Sequence, residues 1–96
     1  MTCSLSTHVL DTAAGRPASG VAIELLQNGV AVTSAETDAD GRARLAEDLP
    51  AGTYRVVFHP PSPFFTRVEL QVELAEGHYH VPLLVSPFGC ASYRGS

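Results

Sequence analysis

Apolar and polar residues alternate along most of this chain. In VELQVEL, Val68, Leu70, Val72 and Leu74 fall on one face and Glu69, Gln71 and Glu73 on the other, the pattern of a strand with one buried side. Further strands are expected over 4–11, from Val21 to Leu25, from Gly29 onward after the Asn28-Gly29 pair, over 53–59, along HYHVPLLVSP, and from about Cys90 to the end. An Asn-Gly pair between alternating runs is a strong hairpin signal. AAGRPASG, TDADGR, EDLPAGTY and HPPSPFF carry the glycine, proline and aspartate of turns. RARLAEDL has some helical propensity, but it is short and closes on Pro50. The expectation is an all-β antiparallel sandwich of about seven or eight strands with little or no helix.

Two details refine this picture. Pro82 cannot donate to a ladder, which predicts an edge position or a bulge for the HYHVPLLVSP strand. His59, outside any motif, is expected in a loop.

With 96 residues, the chain is expected to form one domain, 1–96, with a single modest core. Charged residues make up 17% and hydrophobic ones 45%, a globular balance. All six basic residues are arginines, scattered along a chain of net charge -4. That excludes the clustered basic footprint of a nucleic-acid binder. No apolar run is long enough to span a bilayer. The start, MTCSLSTHVLD, has neither the basic nor the apolar region of a secretory signal. Cys3 and Cys90 are far apart and belong to no CxxC pair, so two free thiols and a cytoplasmic location are expected.

The chemistry-bearing residues gather near the two ends. His78 and His80 are two apart, so on a strand they share a face that Tyr79 does not. An HxH pair also suits zinc, with His8 as third ligand. No cysteine or carboxylate is placed to complete such a site, and no metal is expected. Arg42 follows Gly41 in what reads as a turn. Ser96 has no adjacent base and does not read as a nucleophile.

The stretch GRPASGVAIELLQNGVAVTSAETDADGRARLAEDLPAGTYRVVF is similar to prealbumin-like sandwich modules. LSTHVLD, TDADGR and the closing HYHVPLLVSPFGCASYRGS together resemble the transthyretin-related hydroxyisourate hydrolase family, from about Leu5 to Ser96. The resemblance implies a prealbumin-like fold. It implies that His8, Arg42, His80 and Ser96 are catalytic, and that His8, Arg42 and Tyr93 contact substrate. The activity it implies is hydrolysis of 5-hydroxyisourate to 2-oxo-4-hydroxy-4-carboxy-5-ureidoimidazoline in urate degradation, without a cofactor. It also implies a homotetramer, built as a dimer of dimers, with no nucleic-acid or membrane partner. The alternative is a non-catalytic transthyretin-like small-molecule carrier or interaction module. The chain departs from the family in HPPSPFF, which is short and puts the shape of the site entrance in question.

These residue types suit the reaction. Opening a cyclic ureide needs a base of near-neutral pKa, which histidine supplies. It also needs a fixed positive charge for the developing oxyanion, which the guanidinium fork supplies.

Overall fold

The computed structural model describes residues Thr2–Ser96. Nine strands follow one another: β1 (Thr2–Asp11), β2 (Arg16–Pro17), β3 (Ala22–Gln27), β4 (Val30–Glu36), β5 (Arg42–Pro50), β6 (Gly52–His59), β7 (Val68–Leu74), β8 (Gly77–Ser86) and β9 (Gly89–Ser92). No helix is present among the described residues, so none is available to cross a membrane. One sheet runs β2-β1-β8-β9, with β5 also paired to β1, and the other runs β4-β3-β6-β7. The expected sandwich is present, with more strands than the alternation alone separates.

The core lies between the sheets. Leu5, Thr7, Val9, Ile23, Leu25, Val56, Phe58, Leu83 and Val85 are buried there, each set two apart along its strand as the pleat requires. Tyr54 is buried with them and donates its hydroxyl to Pro50 O at 2.7 Å. The β3–β4 hairpin turns on Asn28 and Gly29, both at positive φ (53° and 75°), the backbone that an Asn-Gly turn is suited to adopt.

Four details refine or correct the expectations. The first is strand direction: β1 and β8 pair in parallel, whereas every other strand pair is antiparallel. Second, RARLAEDL is β5, and Arg42 is its first residue rather than part of a turn. Its pairing with β1 absorbs register shifts between Cys3 and Leu5 and between Leu5 and Ser6. These irregularities break the clean alternation that would have marked a strand. Third, Pro82 lies inside a strand with neighbours on both sides. Its carbonyl accepts from Ser92 Oγ at 2.8 Å on the β9 side, where the ladder begins only at Leu83. A residue's N–H and C=O share one side of a strand, so the missing donor falls where no ladder bond is needed. Fourth, His59 closes β6 and hydrogen-bonds Glu24 Oε1 through Nε2 at 2.9 Å.

Candidate active site

Strand β1 divides its residues by the period of two. Cys3, Leu5, Thr7 and Val9 are buried, while Ser4, Ser6 and His8 turn toward the opposite face of the sheet. The parallel register with β8 sets Ser4 opposite His78 and Ser6 opposite His80. On the other side of β1, the antiparallel register with β5 sets His8 opposite Arg42 and Ser6 opposite Arg44. Three strands remote in sequence therefore bring histidines, serines and arginines onto one outer face.

That face holds an open cleft of about 430 Å³, lined by Ser6, Thr7, Asp38, Arg42, His80 and Ser96 among others. The rings of His8 and His80 are 6.5 Å apart, centroid to centroid. Of the two arginines on the cleft, Arg44 is paired with Glu47, whereas Arg42 has no ion pair among the described residues. Arg42 is thus the cation available to an incoming oxygen.

Each histidine is held differently. His8 Nε2 lies 2.8 Å from the Asp40 carbonyl. A carbonyl only accepts, so Nε2 carries the proton and Nδ1 keeps the lone pair. His80 Nδ1 lies 2.9 Å from Ser6 Oγ, which leaves Nε2 as its nitrogen available to the cleft. His78 uses both nitrogens, Nδ1 to Ser4 Oγ at 2.7 Å and Nε2 to Ser6 Oγ at 3.0 Å. Partial burial pushes the His80 imidazole below its ordinary value, and His8, Arg42 and His78 add to the effect. Each of these makes a second positive charge costly.

The turn before β5 positions two of these groups at once. Asp38 Oδ1 accepts the amides of Asp40 and Arg42, at 2.9 and 3.0 Å. Gly41, at φ 75°, passes so close to β1 that a β-carbon there would lie 2.5 Å from Val9 O. The turn is closed by this approach and presents Asp40 O to His8 and the start of β5 to the cleft. Below it, buried Thr37 donates to Ala18 O at 2.7 Å and accepts from Val21 N at 2.9 Å.

The tail is ordered by two contacts. The Arg94 guanidinium sits 4.3 Å over the Tyr79 ring, a cation–π arrangement. Gly95 N–H donates to His80 O at 2.7 Å. Ser96 then reaches the cleft. Tyr93 does not: it is exposed and lines a separate groove with Leu70, Val72 and Tyr79, on the far side of the sheet from the histidines. Within one chain, His8, Arg42, His80 and Ser96 come together and Tyr93 stands apart. The His59–Phe65 segment also lies away from the cleft, tied to the β8–β9 turn by Ser62 Oγ donating to Pro87 O. Cys3 is buried and Cys90 exposed, both as free thiols.

Reading residues one at a time missed Ser6, Asp38 and Gly95. For Ser6 the signal was present, since Ser4, Ser6 and His8 alternate along one strand.

A two-sheet sandwich with this cleft on its outer face defines a class of small β-proteins, and comparison with known proteins fixes the family. The family model of the HIUase/Transthyretin family matches residues 5–95, and the chain belongs to that family. It is 40% identical over 112 residues to the 5-hydroxyisourate hydrolase of Caulobacter vibrioides, covering 96% of this chain and 97% of that protein. The structure of Klebsiella pneumoniae 5-hydroxyisourate hydrolase superposes with a TM-score of 0.90 at 36% identity, over 100% of both chains. Sea bream transthyretin in complex with thyroxine superposes with a TM-score of 0.83 at 30% identity, over 95% of this chain and 93% of that one. The Caulobacter alignment runs over 112 residues against 96 here, so that relative carries segments this chain lacks.

Proposed function

We propose that this chain hydrolyses 5-hydroxyisourate, the product of urate oxidation, to 2-oxo-4-hydroxy-4-carboxy-5-ureidoimidazoline. The observation that carries the reading is the convergence of Arg42, His80 and Ser96 on one cleft with His8 beside it. Relatives named for this activity align along nearly the whole chain.

Water enters between the two histidines. His80 Nε2 takes its proton as oxygen attacks the ring carbonyl beside a ring nitrogen, and the His8 Nδ1 lone pair helps hold the water. Negative charge grows on the carbonyl oxygen, and the Arg42 guanidinium balances it. The tetrahedral centre collapses, the C–N bond breaks, and the leaving nitrogen takes the proton from His80. Ser96 orients the water or the substrate from the tail. No metal or organic cofactor has a step in this sequence. The cleft's ionisable lining suits water attack better than retention of an apolar ligand, which separates the hydrolase from the carrier alternative.

The active form is a homotetramer, a dimer of dimers of single 1–96 domains, acting in the cytoplasm. The open edges of β4, β7 and β9 support assembly. So does the position of Tyr93, which becomes a substrate contact through a neighbouring subunit. The test is direct: 5-hydroxyisourate generated by urate oxidase decays measurably by absorbance, and the protein accelerates that decay.

A further inference from the structure

Ser6 Oγ bridges two imidazoles, His80 Nδ1 at 2.9 Å and His78 Nε2 at 3.0 Å, and Ser4 Oγ caps His78 Nδ1 at 2.7 Å. The four side chains form one unbroken line. It starts at half-buried His80 on the cleft and ends at exposed His78 and half-buried Ser4. A serine hydroxyl has one proton and can accept, while a neutral imidazole has one donor and one acceptor nitrogen. Ser6 can also accept from both rings at once, but the line runs continuously from end to end in just two arrangements, with every hydrogen bond pointing toward His80 or every one pointing away.

We propose that Ser4, His78 and Ser6 are a proton relay whose reversal lets His80 act first as base and then as acid without becoming an imidazolium. The proposal rests on the hydrolytic reading above. As water attacks, its oxygen bonds the carbonyl carbon and its proton goes to His80 Nε2. The Nδ1 proton passes to Ser6, the Ser6 proton to His78 Nε2, the His78 Nδ1 proton to Ser4, and the Ser4 proton to solvent. His80 is left neutral with its proton on Nε2. When the intermediate collapses, the C–N bond breaks and the nitrogen takes that proton. The line then refills from solvent through Ser4, and every atom returns to its starting state.

The surroundings explain why such a route is favoured. His80 is faced by His8 from β1, by Arg42 and Arg44 from β5, by His78 on its own strand, and by Asp38 from the turn. Glu47 offsets Arg44, and Ser96 lines the same cleft, but burial lowers the basicity of His80 first, and His8, Arg42 and His78 lower it further. An imidazolium there is disfavoured, whereas a change of tautomer adds no charge. His8 cannot do the same, because the Asp40 carbonyl fixes its tautomer.

Ser6→Ala breaks the line and leaves the fold's core untouched. Expected is a kcat loss of about tenfold or more with KM within about twofold, as for removal of a group acting only in the chemical step. Ser6→Thr keeps the hydroxyl on a strand position and restores the rate. His78→Gln alone slows turnover but adds nothing to Ser6→Ala, because both cut the same line. Nitrogen-15 NMR of His80 provides a readout that needs no substrate. In the native chain Nδ1 carries a share of the neutral ring's proton, and in Ser6→Ala the proton moves to Nε2. A native chain inactive on 5-hydroxyisourate would sink the hydrolytic reading, and the NMR comparison would still decide the hydrogen-bonded line. A folded Ser6→Ala variant with native kcat and native His80 shifts would overturn the relay. So would losses from Ser6→Ala and His78→Gln that simply multiply. If Ser6→Ala fails to fold, His78→Gln at its exposed position takes its place, and native kcat with unchanged His80 shifts would overturn the relay equally.

Discussion

Gly95 lies against the ring of His80: a β-carbon on Gly95 would stand 2.6 Å from His80 Cδ2 and 3.3 Å from Cγ. The same residue donates its amide to His80 O, so the tail is pinned to the strand that carries the histidine. Only glycine permits that approach with the ring in place. Gly95→Ala must displace the ring, and a displacement near 1 Å costs on the order of 100-fold in rate. Expected is a loss of that size in kcat with an unchanged far-ultraviolet circular dichroism spectrum. Native turnover in Gly95→Ala would show that the His80 ring position is immaterial.

Asp38 acts through the turn. Its carboxylate holds the amides of Asp40 and Arg42, and Asp40 O in turn holds His8. Asp38→Ala should therefore weaken catalysis through both groups while touching neither. Expected is a kcat loss of about tenfold or more, since mispositioned groups lose rate steeply. Asp38→Asn, which keeps an acceptor oxygen, recovers much of it. Equal rates in the two variants would remove the turn from the mechanism.

Thr37 offers a test of the fold alone. Its hydroxyl is buried and makes two hydrogen bonds to the segment before β3. Thr37→Val keeps the shape and leaves the Val21 amide and the Ala18 carbonyl unpaired, at about 1–3 kcal/mol. For a domain of this size that is a fall in Tm of roughly 4–8 °C per kcal/mol. A thermal melt unchanged from native would mean that water replaces both bonds.

The His80 imidazole titrates below the ordinary histidine value, first because of burial and then because of His8, Arg42 and His78. The base form is therefore favoured at neutral pH. The acid limb of kcat/KM should fall below about 6.5, lower than an unperturbed histidine would give. In the window between the depressed folded value and about 6.5, the unfolded chain binds more protons than the folded one. Stability from this group therefore rises with pH across that window and is lost as pH falls through the folded value. Arg42→Gln removes one contributing charge, so His80 should titrate higher by proton NMR yet stay below 6.5, because burial remains. An unshifted titration would mean that the guanidinium does not act on the ring.

Much of this was legible in the sequence. VELQVEL and the Asn28-Gly29 hairpin announce their strands by alternation and turn chemistry alone. Ser4, Ser6 and His8 share a face by the same rule, as do His78 and His80. The family motifs picked out Arg42 and Ser96, which the fold then places at the cleft. The rest depended on non-local pairing. Whether Ser6 meets His80 is set by the parallel register of β1 and β8, and no local pattern encodes the direction in which two distant strands pair. β5 was hidden because bulges against β1 break its alternation. Pro82 reads as an edge signal, but the ladder on its donor side stops just short of it. The closeness of Gly95 to His80 is a contact across strands, visible only once both have been placed.

The most direct test follows the ultraviolet absorbance of freshly generated 5-hydroxyisourate with native protein, with His80→Ala, and with no protein. A hydrolase built on this cleft gives saturable acceleration over spontaneous decay, and His80→Ala falls to a rate near the uncatalysed one. Native protein that leaves the spontaneous decay unchanged would contradict the assignment of the cleft as an active site.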